Sequence, residues 1–444
     1  MRKTNHKKHC YKRVIYIIVT ALLSFSLFSC ATDFVLPDPE SIPQTTSAQL
    51  EAFPLSAKNL MQNVSAGNTA PIKLDKEFIA DSAVFALELF KKCALSEQNP
   101  MVSPLSVMLA LSMTANGAGG ETLAQMENVL GGFDIDSLNE YMRSYAASLS
   151  NTENAKLTAA NSIWFRDDEE SIKVSDDFLQ TNADYYNADA YAAPFDETTL
   201  DEINQWVNVN TDGMIEGILD RIPEEAVMYL INAMAFDARW EKVYYEHQIS
   251  EGIFNALDGS PQTISMMQSQ ESKYINDGKA TGFIKPYEGG QYSFAALLPN
   301  EGEDIHDYIS SMTGERFIAA LSDTKPGIVF ATLPKFSSEY KTELNGTLGE
   351  LGMTDAFIPE NADFSKLGNS SLESFYISSV LHKTYISVDE LGTKAGAVTS
   401  VEMGTTSMPV TDIYTVTLDR PFVYALIDNN TKLPVFIGAV LSIE

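Results

Sequence analysis

Cysteine, histidine and basic residues are scarce in this chain of 444 residues. Its three cysteines, Cys10, Cys30 and Cys93, do not have the spacing of a zinc site or of a disulfide framework. Sixty Asp and Glu against 30 Lys and Arg give a net charge of −30, which argues against nucleic acid because phosphates require a basic surface. We therefore expect no metal, no cofactor and no nucleic-acid partner.

Motifs of hydrolases and nucleotide-binding enzymes are also missing. There is no G-x-S-x-G elbow, no H-E-x-x-H, no phosphate-binding loop and no G-x-G-x-x-G after a strand. Only His247, His306 and His382 remain beyond the N-terminal segment. His382, at the start of a predicted strand, is more typical of a hydrogen-bonded core histidine than of a general base. An enzyme is not expected.

The N-terminal segment has the pattern of a secretory signal followed by a lipidation site. Six basic residues between Arg2 and Arg13 precede an apolar run at 14–28 that is too short for an ordinary membrane span. The run leads into Leu-Phe-Ser-Cys, which resembles a bacterial lipobox, so we expect acylation of Cys30. Because Ala31 is not the aspartate linked to inner-membrane retention, we expect a cell-envelope lipoprotein at the outer membrane or cell surface. The alternative is a plain signal peptide and a secreted protein.

The remaining sequence divides into a tether and one large domain. After a signal peptide at residues 1–29, residues 30–74 carry five prolines among Ser, Thr, Gln and Asn, a composition typical of a linker. Residues 75–444 contain no Pro/Gly/Ser-rich break long enough to separate domains. We therefore expect one domain at 75–444.

Hydrophobic patterns predict helices in the first half of the domain and strands in the second. Residues 104–115 predict a helix, with Ser103 as its cap and a proline in its first turn. Residues 226–236 are almost all apolar, as in a central strand buried on both faces. Apolar runs at 422–427 and 434–441 flank a turn sequence and predict a hairpin. The expected fold class is α+β.

Short motifs along the body resemble those of the serpins, the suicide inhibitors of serine proteases. Each motif alone is weak, but the set follows the order and spacing of the family from residue 99 to residue 438. The set includes N-P-M-V-S-P-L-S at 99–106, N-S-I-W at 161–164, I-N-Q-W-V at 203–207, N-A-M-A-F at 232–236, L-P-K-F at 333–336, H-K-T at 382–384 and D-R-P-F at 419–422. The resemblance implies helices around a large mixed β-sheet, two smaller sheets and an exposed reactive-centre loop.

The resemblance also assigns a polar cluster beneath the main sheet, called the shutter, and the place where the loop enters the sheet, called the breach. The shutter residues are Ser103, Ser106, Asn232 and His382, and the breach residue is Trp240. A sheet that opens requires hydrogen bonds that can be exchanged. Ordinary core packing is the alternative role for each residue.

The segment after residue 389 resembles the hinge of an inhibitory serpin. The hinge residues implied by the resemblance are Glu390, Gly392, Thr393, Ala395 and Ala397. Because successive side chains of a strand face opposite ways, every second residue from Thr393 to Thr399 would point inward, and all four are compact. The one charge, Lys394, would point outward. Leu391 and Gly396 depart from the commoner residues and leave room for a slow or leaky trap.

The bond that the protease attacks is expected at Thr406–Ser407, from the usual spacing to the hinge. The modest side chain of Thr406 suits a shallow S1 pocket of the elastase type. No arginine or lysine occurs in residues 395–419, which disfavours trypsin-like targets. Since the loop is a few residues longer than is typical, cleavage at Met408 or Val410, or at several bonds, is also open.

The resemblance therefore implies a monomeric inhibitor, anchored through a lipid on Cys30, that traps a serine endopeptidase of the elastase type by inserting its cleaved loop. One alternative is a non-inhibitory binding protein on the serpin fold, since a fold does not fix a function. Another is a cross-class inhibitor of papain-like cysteine proteases.

Overall fold

The computed structural model describes residues 55–67, 70–95, 98–149, 151–167, 172–370, 374–393 and 412–443. All of them belong to the unit Leu50–Glu444. Within these ranges, no helix is both long enough and apolar enough to cross a membrane.

The described ranges contain nine α-helices, six of which precede residue 211. They are α1 Lys76–Cys93, α2 Pro104–Ala115, α3 Gly120–Val129, α4 Ile135–Ser148, α5 Asp176–Tyr186, α6 Glu197–Asn210, α7 Ile305–Ser311, α8 Gly314–Ser322 and α9 Asn345–Leu351. Side chains cap several of these helices: the Asp75 carboxylate accepts a hydrogen bond from the N–H of Phe78 at 2.8 Å at the start of α1. The predicted helix at 104–115 is confirmed as α2, with Ser103 as its cap.

Strands in the described ranges, numbered in chain order, form three sheets. The main sheet contains β1 Lys58–Asn59, β3 Ala155–Arg166, β5 Asp189–Ala193, β6 Met228–Arg239, β12 Phe336–Glu343, β14 Ser379–Val388 and β15 Gly392–Thr393. The second sheet contains β2 Met101–Val102, β7 Ile249–Asn255, β8 Pro261–Asn276, β9 Ala280–Pro286, β10 Tyr292–Pro299, β11 Lys325–Pro334, β16 Ile413–Thr417, β17 Phe422–Asp428 and β18 Pro434–Val440. The small third sheet pairs β4 Ile172–Val174 with β13 Gly368–Ser370.

The strand order places β6 and β14 at the centre of the main sheet. That order is β1-β5-β3-β6-β15-β14-β12, and β6 also pairs directly with β14. The second sheet runs β16-β11-β8-β9-β10-β17-β18-β2, with β7 on β8. The predicted central strand is confirmed as β6, and the predicted hairpin as the antiparallel pair β17–β18. The α+β class is confirmed as well.

The main sheet is covered by helices on both faces. All twelve residues of α2 are buried, because this helix packs against β3 and β6 of the main sheet and against β18 of the second sheet. On the other face, α6 packs on β3, with Ile203, Trp206 and Val207 in a hydrophobic cluster with Trp164. One face of the central strands is therefore covered by the buried helix α2 and not exposed to solvent.

Residues 55–67 lie on the folded domain, which differs from the predicted tether at 30–74. The strand β1 pairs with the outer edge of β5, Lys58 opposite Ala192. The buried carboxylate of Glu202 accepts hydrogen bonds from the N–H groups of Ser56 and Ala57. This segment adopts a fixed structure because it satisfies an open strand edge and a buried charge, neither of which its own composition reveals.

Candidate functional site

A short hairpin at the end of β14 organises the site. The chain leaves β14 at Val388, turns through three residues and returns as β15, in which Thr393 pairs with Val388. The Oδ1 atom of Asp389 accepts hydrogen bonds from the N–H groups of Leu391 and Gly392 at 2.8 and 3.1 Å. This side-chain turn directs the chain back into the main sheet.

The strand β15 lies between two strands that pair directly further along. On one side Thr393 pairs with Val388 of β14, and on the other side with Ala238 of β6. Nearer the opposite end of the sheet, residues 379–384 of β14 pair in parallel with residues 229–234 of β6. The sheet is thus closed over six residue pairs and held apart by β15 at one end. A strand that entered further would replace those six pairs with pairs of its own.

Gly392 occupies a position where a side chain does not fit. A Cβ atom there would lie 2.1 Å from the carbonyl oxygen of Ala238 and 2.8 Å from the Cα atom of Arg239. Both contacts involve the backbone of β6, which cannot rotate away as a side chain can. The close approach of β15 to β6 therefore requires glycine at this position.

Thr393 is fully buried. Its Oγ1 atom lies 2.5 Å from the phenol oxygen of Tyr287. Burial raises the pKa of Tyr287 well above its ordinary value, so the phenol remains neutral. The ring of Tyr287 stacks on Trp240 with centroids 4.4 Å apart. The side chain at 393 therefore faces inward, as the resemblance to the inhibitory hinge implies.

Trp240 and Tyr244 bind the turn through its carbonyl groups. The indole N–H of Trp240 donates to the carbonyl of Asp389 at 2.8 Å, and its backbone N–H donates to Leu391 at 2.9 Å. The backbone N–H of Tyr244 donates to the carbonyl of Glu390 at 2.9 Å. All three carbonyls of the turn thus receive a hydrogen bond from one five-residue segment that follows β6.

An ion pair joins the turn to the start of β12. The Oε2 atom of Glu390 lies 2.5 Å from the Nζ atom of Lys335. This hydrogen bond lowers the pKa of the Glu390 carboxyl below its usual range. Because both side chains are about one-third exposed, the pair contributes at most about 1 kcal/mol to stability. Its main effect is to orient the turn.

A polar cluster lies beneath the closed part of the sheet. The Nδ1 atom of His382 in β14 is 2.7 Å from the Oδ1 atom of Asn232 in β6. The amide group of Asn232 donates to the carbonyl of Ser106 and to Oδ1 of Asn161. The backbone N–H of Ser103 donates to Nε2 of His382 at 3.0 Å. The cluster thus links α2 to the two central strands.

The hydrogen bonds of His382 fix its protonation state. The N–H of Ser103 can only donate, so Nε2 accepts and the ring proton is on Nδ1, where it is donated to Asn232. Burial lowers the pKa of His382 to about 3, so the ring is neutral at ordinary pH. The Ser106 hydroxyl is buried without a hydrogen-bond partner in the described ranges. His382 is a hydrogen-bonding residue of the core, not a general base.

Comparison with known families identifies this arrangement. The family model described as Serpin (serine protease inhibitor) matches residues 80–443. The chain belongs to the serpin family. It is an inhibitor-family protein rather than an enzyme, since the matched family and relatives are inhibitors.

Curated relatives include two elastase inhibitors. The chain is 29% identical over 384 residues to leukocyte elastase inhibitor A of Mus musculus, which covers 81% of this chain and 98% of the relative. It is 29% identical over 375 residues to the leukocyte elastase inhibitor of Homo sapiens, covering 80% and 96%. These relatives support protease inhibition in general terms.

Solved structures include the thermophilic serpin tengpin in two states. The native state has a TM-score of 0.84 at 51% identity and covers 87% of this chain and 100% of that one. The latent state has a TM-score of 0.76 at 51% identity and covers 84% and 100%.

The structure places the predicted residues of this serpin in two groups. Glu390, Gly392 and Thr393 meet Trp240 at the hairpin, and Ser103, Ser106, Asn232 and His382 meet beneath the closed part of the sheet. The predicted residues Ala395, Ala397, Thr406, Ser407 and Cys30 lie outside the described ranges.

Several residues of the serpin hinge region were not predicted from the sequence. Lys335 was noted within a motif, but no role was assigned to it. Tyr287 and Tyr244 carry no local signal. Lys285 does carry a local signal in the sequence, because it is a charged residue that follows Phe283 and Ile284 in a strand that is buried on both faces.

Proposed function

We propose that this serpin is a serine-type endopeptidase inhibitor that acts by suicide-substrate trapping. The observation that carries the proposal is the position of β15: Gly392 and Thr393 already pair with both central strands of the main sheet. Insertion of the loop would extend this short strand. The family match and the elastase-inhibitor relatives support the same activity.

The proposed reaction begins as ordinary proteolysis. The hydroxyl oxygen of the protease serine attacks the carbonyl carbon of the bait residue, Thr406, and forms an ester. The peptide bond to Ser407 breaks, and the serine proton passes through the base of the protease to the leaving nitrogen of Ser407. The segment 393–406 is then free to enter the sheet before water hydrolyses the ester.

Insertion would carry the protease along the sheet. The fourteen residues from Thr393 to Thr406 span roughly 46 Å as a strand. Each inserted residue can form ladders with both β6 and β14, whereas the closed sheet has one ladder between them. The hydrogen bonds of Asn232 and His382 beneath these strands allow exchange of partners without unlocking interdigitated apolar side chains.

The preferred target is an elastase-like protease. Thr406 has a compact side chain that suits a shallow pocket, and residues 395–419 contain no arginine or lysine for a trypsin-like pocket. Leukocyte elastase inhibitors among the relatives support this class. Met408 and Val410 are the alternative bait residues.

The test is incubation of the purified full chain with elastase-like, chymotrypsin-like and papain-like proteases. An elastase-like enzyme should give an SDS-resistant complex and release residues 407–444, a fragment of 38 residues whose mass identifies the cleaved bond. Thr393→Arg should abolish the complex and leave cleavage intact, because the side chain at 393 is fully buried. Thr393→Ser, which keeps the hydroxyl, is the matched control and should still trap.

Other results would redirect the assignment. Cleavage of the wild-type chain without any complex would overturn trapping and favour a non-inhibitory binding protein. A complex with the papain-like enzyme alone would identify a cross-class inhibitor. A complex that Thr393→Arg forms as efficiently as the wild type would show that insertion does not begin at residue 393.

We also propose that the protein is anchored to the bacterial cell envelope through a lipid on Cys30. The lipobox-like sequence at 27–30 supports this location, and Ala31, which is not the retention aspartate, leaves an outer-membrane anchor open. Expression of the full chain with radiolabelled palmitate in a Gram-negative host should label the wild type but not Cys30→Ser. Labelling of neither protein would favour a secreted form.

A further inference from the structure

A buried ion pair lies directly behind the breach. Lys285 in β9 and Glu271 in β8 are almost completely buried, and the Nζ atom of Lys285 lies 3.0 Å from Oε1 of Glu271. The same ammonium donates to the carbonyl of Lys242 at 3.1 Å, and the Ser269 hydroxyl donates to Glu271 at 2.7 Å. The ion pair thus has further hydrogen-bond partners on both sides.

The ammonium group of Lys285 also faces two aromatic rings. Its Nζ atom lies 4.3 Å from the ring centroid of Tyr244 and 5.3 Å from that of Trp240. A cation at these distances is attracted to the ring faces, and the attraction is strongest where water is excluded. Lys285 therefore contacts the segment 240–244 through Trp240, the Lys242 carbonyl and Tyr244.

The same segment donates a hydrogen bond to each of the three carbonyls of the turn at 389–391. Trp240 binds Asp389 and Leu391, and Tyr244 binds Glu390. A continuous set of contacts therefore runs from the Lys285 ammonium, through two aromatic residues, to the backbone that begins β15.

Stability alone does not account for a charged pair in this place. Replacing a buried ion pair with apolar residues of similar size is often neutral or stabilising, because both charges lose their hydration in the folded state. The neighbours of Lys285 in β9, Phe283 and Ile284, are apolar and fully buried. An apolar residue at 285 would match these neighbours in polarity but would not attract the ring faces.

We propose that Lys285, held by Glu271, is a positioning residue for loop insertion: its ammonium fixes Trp240 and Tyr244 where they bind the turn from which insertion starts. This inference rests on the proposed trapping function. Loss of the cation should weaken the hydrogen bonds that Trp240 and Tyr244 donate to the turn, so that β15 forms less often. A larger share of the inhibitor should then be released as cleaved, uncomplexed protein.

The test uses the double variant Lys285→Met/Glu271→Met in the full chain, which removes both charges and retains side-chain length. Hydrogen exchange of peptides covering 238–245 and 386–393 reports on the hinge without any protease. Exchange there should be about tenfold faster than in the wild type, as loss of a buried cation–π contact predicts. The urea midpoint and exchange in β17 and β18 should not change. The fraction of protease trapped should fall at least twofold.

Two further variants complete the design. Lys279→Met removes a lysine from the exposed pair with Glu303 just before β9 and should leave hinge exchange unchanged. Tyr244→Leu removes one ring but retains the ion pair, and should accelerate hinge exchange in the same direction. If the double variant does not fold, Tyr244→Leu decides the question.

The positioning role would be overturned if the folded variants exchanged hinge amides and trapped protease at the same rates as the wild type. If the wild-type protein traps no protease, the proposed function fails, but the exchange comparison still decides whether Lys285 holds the hinge. The two failures are therefore distinguishable.

Discussion

Individual side chains of the hinge and the shutter are held by specific hydrogen bonds. The Thr393 hydroxyl meets the Tyr287 phenol at 2.5 Å in a fully buried position. His382 has one acceptor and one donor partner, which require the neutral ring. A buried polar group that loses its partner destabilises the fold by the full loss of its hydration. Both contacts can therefore be tested by single substitutions.

Tyr287→Phe should destabilise the protein because it leaves the Thr393 hydroxyl buried without that partner. The expected loss in the free energy of unfolding is about 1–3 kcal/mol. Urea unfolding measures it. Tyr424→Phe is the matched control, since the Tyr424 hydroxyl is buried and has no hydrogen-bond partner in the described part of the chain. An equal loss in both variants would contradict the role of the Thr393 contact.

His382→Gln should reduce the sensitivity of the protein to acid. The pKa of His382 is about 3 in the folded state, below the ordinary value of 6.5. The neutral ring therefore contributes stability above pH 6.5, and this contribution is lost as the pH falls from 6.5 towards 3. Between pH 6 and pH 4 the wild type should lose up to about 1.4 kcal/mol more per pH unit than the variant.

Urea unfolding at several pH values measures the two slopes. His306→Gln in α7 controls for the chemical change of histidine to glutamine at another position. Parallel slopes for the wild type and His382→Gln would show that the imidazole does not charge on unfolding in this range.

At the scale of elements, the main sheet is open where β15 enters and closed beyond it. The two residues of β15 pair on both sides, whereas the next part of β14 pairs with β6 directly. The fully buried helix α2 lies against β6 and presents its N-terminal serines to the polar cluster. The position of β15 depends on backbone contact at one glycine, Gly392.

Gly392→Ala should displace β15 from the sheet. The added Cβ atom would lie 2.1 Å from the Ala238 carbonyl oxygen, so the strands must separate. We expect faster hydrogen exchange at 388–393 and a larger share of cleaved, untrapped product in a protease assay. Densitometry of SDS gels measures that share.

Gly346→Ala in α9 is the matched control for the same chemical change. Nothing lies within 4 Å of a Cβ atom at 346, and alanine in a helix is favoured over glycine by up to about 1 kcal/mol. This variant should trap as well as the wild type. Normal trapping by Gly392→Ala would show that β15 does not need its close approach to β6.

At the scale of the whole molecule, acidic charge dominates. Removal of residues 1–29 takes away six basic and no acidic residues, so the net charge changes from −30 to −36. One role of such an excess is solubility; the alternative role is attraction of basic proteins, an effect that salt screens. The two roles predict different salt dependence of the rate constant for association with a target protease.

If the charge steers targets, association with a basic elastase-like protease should slow by roughly tenfold or more as salt rises from about 50 to 500 mM. Stopped-flow measurement of the second-order rate constant tests this. An acidic protease with a similar pocket should show no such decrease. A flat salt dependence with the basic protease would leave solubility as the only role of the charge.

The sequence alone determined the elements whose signals are local. Cap, proline and apolar residues within one short stretch specify α2, and apolar runs around a turn specify the hairpin of β17 and β18. The family resemblance implies the inward position of Thr393, and strand alternation extends it to every second residue. Such patterns are readable because they arise from interactions between residues a few positions apart.

Only the tertiary structure decided which distant residues meet. Tyr287 and Thr393 are 106 positions apart, and Lys285 reaches Glu271 and the two aromatic rings because of strand order and register in the second sheet. Residues 55–67 resemble a linker in composition, but Lys58 and Asn59 within them pair with the edge strand β5. Pairings between distant strands depend on the topology of the whole chain, which no local pattern encodes.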